Sequence, residues 1–328
     1  MNKEKVYFVK LNELEKIKDL LPKFSSPLGI KVHFGEEGNI TYLPASYVKK
    51  IASMVENPTL VECSVLYKSP RSKAKTHLDL AREHGFDFAP IDFLDGPDGD
   101  DSLAESIKGK HFSECYLGKN LEKYKSLLVV SHFKGHITGG FGGAIKNLSM
   151  GLASRRGKLA QHAFMKHKVK EEKCIACGAC LNNCPVGAIS FNSEKKAEIN
   201  PEICISCSKC ISVCPTGAIG IPWGGKDIKV FRERLAEYAL AGTQSRQCFF
   251  VNFLINITEK CDCAGEKMEK MTEDIGVLVS ADPVAIDQAS YDLVAKQCEN
   301  FEKQKGDEQL EHGKEIGLGN RNYELVNM

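Results

Sequence analysis

The sequence lacks any run of about 18 apolar residues, so no segment reads as a membrane-spanning helix. It lacks an excess of either charge. Its 44 lysines and arginines face 43 aspartates and glutamates, a formal net charge of +1. On that balance no partnership with nucleic acid or an anionic membrane is expected. The opening stretch MNKEKVYFVKLNELEKIKDLL is charged throughout and lacks the apolar core of a secretory signal. A cytoplasmic location is therefore expected. The glycine-rich segment around residue 140 has neither the G-x-G-x-x-G spacing of a dinucleotide fingerprint nor a G-x-x-x-x-G-K-[ST] phosphate loop.

What the chain has in abundance is cysteine, fourteen in all. In a reducing compartment these are not expected to form a disulfide framework, and metal binding becomes the leading reason for them. Cys174–Ile189 reads CIACGACLNNCPVGAI and Cys204–Ile219 reads CISCSKCISVCPTGAI, offset by 30 residues with 9 of 16 positions identical. Each copy is C-x2-C-x2-C-x3-C-P. Three closely spaced cysteines let one loop wrap three corners of an iron–sulfur cube, and the fourth, before proline, ligates the other cluster. The spacing assigns Cys174, Cys177, Cys180 and Cys214 to one [4Fe-4S] cluster, and Cys204, Cys207, Cys210 and Cys184 to a second. Structural zinc sites present separated cysteine pairs instead. The intervening AISFNSEKKAEINPEIC reads as two short strands about a polar turn. From Lys168 to Pro222 the segment resembles the bacterial two-cluster ferredoxins, and this resemblance implies two clusters close enough to exchange electrons.

The remainder alternates strand-like and helix-like stretches. KVYFVKL, GIKVHFGE, TLVECSVLY, SLLVVSHF, QCFFVNFLINI and IGVLVS read as strands. LNELEKIKDLLPKF reads as an amphipathic helix stopping at Pro22, and PASYVKKIASMVEN as one entered at Pro44. AKTHLDLAREHGF ends at Gly85, DIKVFRERLAEYALAG is closed by Gly242, and DPVAIDQASYDLVAKQ is capped by Asp282. The expected fold is α/β, a mostly parallel sheet domain with an inserted ferredoxin-like two-cluster module. Residues 1–167 and 223–328 would form the α/β domain and 168–222 the insertion, which leaves by the turn at Trp223.

The segment SHFKGHITGGFGGAIKNLSMG, Ser131–Gly151, follows a buried strand, where open α/β sheets bind ligands. His132 and His136 can bind metal or move protons. Lys134 can contact an anion. Gly139, Gly140, Gly142 and Gly143 let backbone amides approach one, helped by the N-terminus of the helix that AIKNL begins. Cys261 and Cys263 flank Asp262, and as C-x-C they can ligate a metal, form a redox pair or be ordinary thiols. Cys63, Cys115, Cys248 and Cys298 are isolated and read as small packed side chains.

Taken in order, GIKVHFGE, HLDLAREHGF, SHFKGHITGGFGGAIKNLSMGLASRRGK, the double cysteine motif, WGGKDIKVFRERLAEYA, FFVNFLINITEKCDC and DIGVLVSADPVAIDQAS resemble an uncharacterised family of iron–sulfur centre proteins. The family's outer domain is the domain of unknown function numbered three-six-two. The resemblance implies a ferredoxin module inside an α/β domain and implies no particular reaction. The expected function is iron–sulfur electron transfer, with two [4Fe-4S] clusters exchanging electrons with a ligand or substrate site in the α/β domain. Lys134 would be the anion contact there, and His136 a ligand or proton carrier. A further metal or anion, a redox partner protein and a small-molecule substrate are expected with it. Two alternatives are a redox-sensing or scaffold module with structural clusters, and a plain electron carrier.

Overall fold

The computed structural model describes residues 3–67, 69–162, 168–184, 186–204, 210, 213–219 and 228–328. The chain opens with β1 (Glu4–Val9), a helical stretch ending in α1 (Ile17–Leu20), β2 (Leu28–Lys31), α2 (Ala45–Ala52), β3 (Thr59–Glu62), α3 (Ala74–Glu83) and β4 (Ile91–Phe93). A hairpin of β5 (Ser102–Ser106) and β6 (Glu114–Gly118) leads to β7 (Ser126–His132). A small hairpin of β8 (Lys134–His136) and β9 (Gly140–Gly142) follows, then α4 (Ala144–Leu152) and α5 (Arg155–His162). The cysteine-rich segment contributes α6 (Ala179–Asn182), β10 (Ile189–Phe191) and β11 (Ala197–Ile199). The chain then runs through α7 (Ile228–Thr243), β12 (Gln247–Leu254), β13 (Gly276–Ser280), α8 (Pro283–Gln297), α9 (Asp307–Glu315) and β14 (Tyr323–Asn327).

Eight strands form one sheet in the order β14-β1-β13-β12-β7-β2-β3-β4. Five of its seven pairings are parallel, and β13 runs against both neighbours. The large, mostly parallel sheet expected of an α/β domain is present. β7 has no alternation because both faces are covered: all seven of its residues are buried. Leu127 and Val129 point into the layer holding α4, α7 and α8, while Leu128 and Val130 join that of α1, α2 and α3. The period of two along the strand divides the core between two faces.

Two helix boundaries differ from expectation. Leu11–Lys16 is a 3-10 stretch, and only Ile17–Leu20 is α-helical before Pro22. The helix expected to close at Gly242 continues through it to Thr243, since Leu152 packs where a side chain at Gly242 would project. The hairpins β5–β6 and β8–β9 and helix α5 were not anticipated. Their strands are only three to five residues long, and such short runs carry little periodicity.

The cysteine-rich segment keeps its own small core of Cys180, Ile189, Ala197, Cys210 and Ile219. The described ends of its two repeats correspond. Gly187 and Gly217 share the same left-handed φ of 62°. The Lys170 amide donates to the Ala218 carbonyl at 2.8 Å, and the Asn200 amide, 30 residues on, donates to the Ala188 carbonyl at 2.8 Å. Each repeat is therefore bracketed in the same way, with β10 paired to β11 and Val169 bridged to Ile219. Cys207, Pro222 and Trp223 lie outside the described residues.

One buried carboxylate ties the helical layer together. Asp287 of α8 accepts the first α4 amides, from Ala144 at 2.7 Å and Ile145 at 2.9 Å, and also the Asn252 side-chain amide of β12 at 2.8 Å. A side chain at Gly143 would collide with this carboxylate, which is why glycine precedes α4. Removing the carboxylate strands three buried donors. Asp287→Ala is expected to cost about 3 kcal/mol of stability, read as a lower urea midpoint at unchanged slope.

Candidate functional site

The chain steps outward from β2 through β3 to β4, then returns to place β7 beside β2 on the other side. Open α/β sheets bind ligands outside the carboxyl ends of their strands at such a reversal. A cavity of about 340 Å³ lies there. Lys31 and His33 enter it from the end of β2, Glu62 and Cys63 from β3, and Ser131 and His132 from β7. Asn147 of α4 spans the reversal. Its side-chain amide donates to the Val130 carbonyl and the Ser131 hydroxyl, each at 3.0 Å, while its Oδ1 accepts from Lys31 Nζ at 2.7 Å.

The walls are strongly basic, with Lys31, Arg71, Lys134, Lys146 and Lys158 all lining the cavity. Three carboxylates hold this charge in place. Glu62 sits 3.2 Å from Lys31 Nζ and 3.6 Å from Arg71, and Glu36 lies 3.6 Å from Arg71. Asp262 meets Lys134 Nζ at 2.7 Å and His132 Nδ1 at 2.8 Å. Burial alone would push the Asp262 carboxyl up, but the charges of His132 and Lys134 hold it far below the ordinary carboxylate range. Lys158 Nζ donates to the Ala153 carbonyl at 2.6 Å.

Two cationic groups keep capacity for something else. Arg71 is only 2 % exposed, and its Nη1 makes no hydrogen bond among the described residues. The Lys146 amine has no ion pair or hydrogen bond among them, and burial, reinforced by the Lys134 charge, brings it down to about 7. Burial holds His33 and His136 well below the ordinary histidine range and pushes His162 down to about 3, so these rings are neutral near pH 7. A pocket with free buried donors and surplus cations suits a small anion.

The expected site residues divide. His132, Lys134, His136, Gly142, Gly143 and Cys263 line the cavity. Gly139 and Gly140 do not. They pack under α9, with Gln309 donating to the Gly139 carbonyl at 3.0 Å and the Lys305 carbonyl closing over Gly140, whose φ is +84°. The N-terminus of α4 is likewise not what an anion would meet, because Asp287 already occupies its amides. His132 cannot serve as a metal ligand while both its nitrogens face acceptors, Asp262 and the Ile255 carbonyl at 2.7 Å.

Cys261 and Cys263 are joined by a disulfide. Together with a ring nitrogen of His136 their ligand atoms lie within 4.8 Å of one another, spacing that one metal ion can bridge. Cys63, Cys115 and Cys298 are buried as expected of packed thiols, and Cys248 is partly so. Cys63 also borders the cavity, where burial raises its thiol well above the usual range.

In the cysteine-rich segment Cys174, Cys177 and Cys180 from the first repeat and Cys214 from the second line a single small pocket. Backbone amides point at sulfurs there, Ala188 N–H to Cys184 at 3.2 Å and Ala197 N–H to Cys174 at 3.5 Å. Cys184, Cys204 and Cys210 are described, while their expected fourth partner Cys207 is not. The segment is entered after His162 and left before Phe231, and these two rings stack at 4.9 Å on the cavity wall.

The molecule is thus an α/β protein with a basic cavity at the strand-order reversal and a cysteine-rich segment that lies between His162 and Phe231 in the chain. The family described as Domain of unknown function (DUF362) matches residues 28–292, and the chain belongs to that family. Among solved structures it is similar to the lactate racemase apoprotein from Thermoanaerobacterium thermosaccharolyticum, at 11% identity and a TM-score of 0.42, covering 90% of this chain and 57% of that one. It is also similar to a protein from Thermotoga maritima, at 10% identity and a TM-score of 0.39, covering 92% and 58%. The chain therefore spans less than two thirds of either. No curated protein matches. No helix among the described residues is long and apolar enough to cross a membrane.

The amine of Lys146 sets a pH dependence. It is charged below about 7 and neutral above, whereas His33, His136 and His162 stay neutral on both sides. Sulfate binding followed by calorimetry is expected to weaken by about tenfold from pH 6 to pH 8, and Lys146→Met is expected to flatten that step.

Proposed function

We propose that this protein is an iron–sulfur electron-transfer protein whose two [4Fe-4S] clusters exchange electrons with a small anion held in the basic cavity. The observation that carries the reading is the pocket shared by Cys174, Cys177, Cys180 and Cys214. Four thiols converging from two repeats are the donor set that a cubane cluster needs, and the fourth comes from the opposite repeat as the spacing requires. Cys180 and its counterpart Cys210 are both buried and Gly187 and Gly217 turn alike, which supports the same reading for the second set. Cys184, Cys204, Cys207 and Cys210 would hold the second cluster. Such clusters, when bound, pass single electrons.

The chain's own groups do the rest. Amides from Ala188 and Ala197 donate to cysteine sulfurs, one of the levers that set a cluster's potential. In the cavity Arg71 and Lys146 would grip the anion, with Lys134 fixed beside it by Asp262. Electrons would reach the clusters from a redox partner protein. The cysteine-rich segment follows His162 and precedes Phe231 in the chain, and both rings lie on the cavity wall, which supports a connection between the two sites.

Protein purified without oxygen is expected to carry about eight iron and eight sulfide per chain. Reduction by dithionite should give the electron paramagnetic resonance of two interacting clusters. Cys214→Ser is expected to lose about half of that iron. Zinc in place of iron would sink the reading.

A further inference from the structure

Cys261 and Cys263 are bonded across Asp262, immediately behind the cationic wall of the cavity. Their environments differ. Cys263 borders the cavity, whereas Cys261 is 8 % exposed and does not. A cross-link between residues two apart closes almost no loop, so it removes little entropy from the unfolded chain and is a poor staple. The segment is in any case already pinned, because Asp262 is held by His132 and Lys134.

A resident metal is the rival use of these sulfurs, and the third member of the group argues against it. His136 Nδ1 accepts the amides of Gly139 at 2.8 Å and Thr138 at 3.2 Å. A neutral ring with that acceptor carries its hydrogen on Nε2. An ion at Nδ1 would have to displace both amides, and an ion at Nε2 would have to displace the hydrogen. Neither nitrogen offers a free lone pair, and the two sulfurs are spent on each other.

We propose that Cys261 and Cys263 form a working dithiol–disulfide couple of the cavity. In reduction the sulfur–sulfur bond breaks, and two electrons and two protons from solvent give two thiols. In the reverse direction the thiols yield both electrons and both protons to a negatively charged two-electron acceptor in the cavity, and the bond reforms. Cys263 is the sulfur that meets the acceptor and Cys261 the one that closes the bond behind it. The clusters, when bound, would supply the two electrons, one from each. The proposal rests on the cluster reading for that donor alone. The couple would convert single-electron delivery into two-electron chemistry.

The test equilibrates the intact protein, without oxygen, in mixtures of reduced and oxidised glutathione. Samples are quenched with acid, unfolded and alkylated, and the peptide carrying both cysteines is weighed. Both thiols should appear together, rising from about a tenth to nine-tenths over roughly a hundredfold change in the two-electron glutathione ratio. In Cys261→Ser no such transition should remain at Cys263. Thiols that are fully alkylated at every ratio would overturn the proposal, as would a disulfide that never opens. So would a stoichiometric non-cluster metal that disappears in Cys261→Ser. Iron is counted in the same samples. A transition in protein lacking iron would remove the cluster reading and keep the couple, whereas iron without a transition would do the opposite.

Discussion

Buried charge has to be answered by nearby charge or hydrogen bonds, and the cavity exists because this condition is met at its walls. Lys31 is fully buried at the end of an apolar strand and survives there because Glu62, Asn147 and a backbone carbonyl surround its ammonium. Glu62 also faces Arg71, and Asp262 serves His132 and Lys134 at once. Glu62 thus fixes two cations from different segments, and Asp262 ties the His132–Lys134 segment to one far along the chain. The position of β7 beside β2 brings those segments together, so the electrostatics of the site and the strand order of the sheet are one constraint.

Asp287 performs the corresponding service for the helical layer. It reaches from α8 to the start of α4, and α4 carries Lys146 and Asn147 into the cavity. The glycines before α4 make room for that carboxylate and for the chain leading into α9. They are packing residues more than a cradle, and the basic face of the pocket comes from side chains instead.

What could be read from the sequence was what is local. The apolar run Leu127–Val130 in β7, the cap of α8 and the two cysteine repeats are signalled within a few residues of themselves. His132, Lys134 and His136 were found for the same reason, since they follow a recognisable buried strand. Lys31 and Arg71 were missed because they come from distant segments that only the strand order brings face to face, while Lys146 stood inside the glycine-rich stretch and Lys158 just beyond it, with nothing local to say that their helices turn them into the cavity. Lys31 did leave a trace, a charged residue inside an otherwise apolar run. The amides of α4 were misjudged because the carboxylate that takes them lies on a helix far along the chain. Cys261 and Cys263 were recognisable as a pair and expected at the site, where Cys263 borders the cavity and Cys261 does not.

The order of the sheet also governs how the chain can be assembled on a ribosome. β1 emerges early, yet both its neighbours, β13 and β14, come from the far end of the chain. β7 must wait for β12, which is synthesised only after both cysteine repeats have appeared. The pocket bordered by Cys174 likewise lacks a wall until Cys214 is made. Nascent protein would therefore hold apolar strands and bare thiols open for most of its synthesis. Slow pairing between distant segments invites aggregation, so this architecture places its own demand on the cell, for chaperones and for protection of the thiols from oxidants during synthesis.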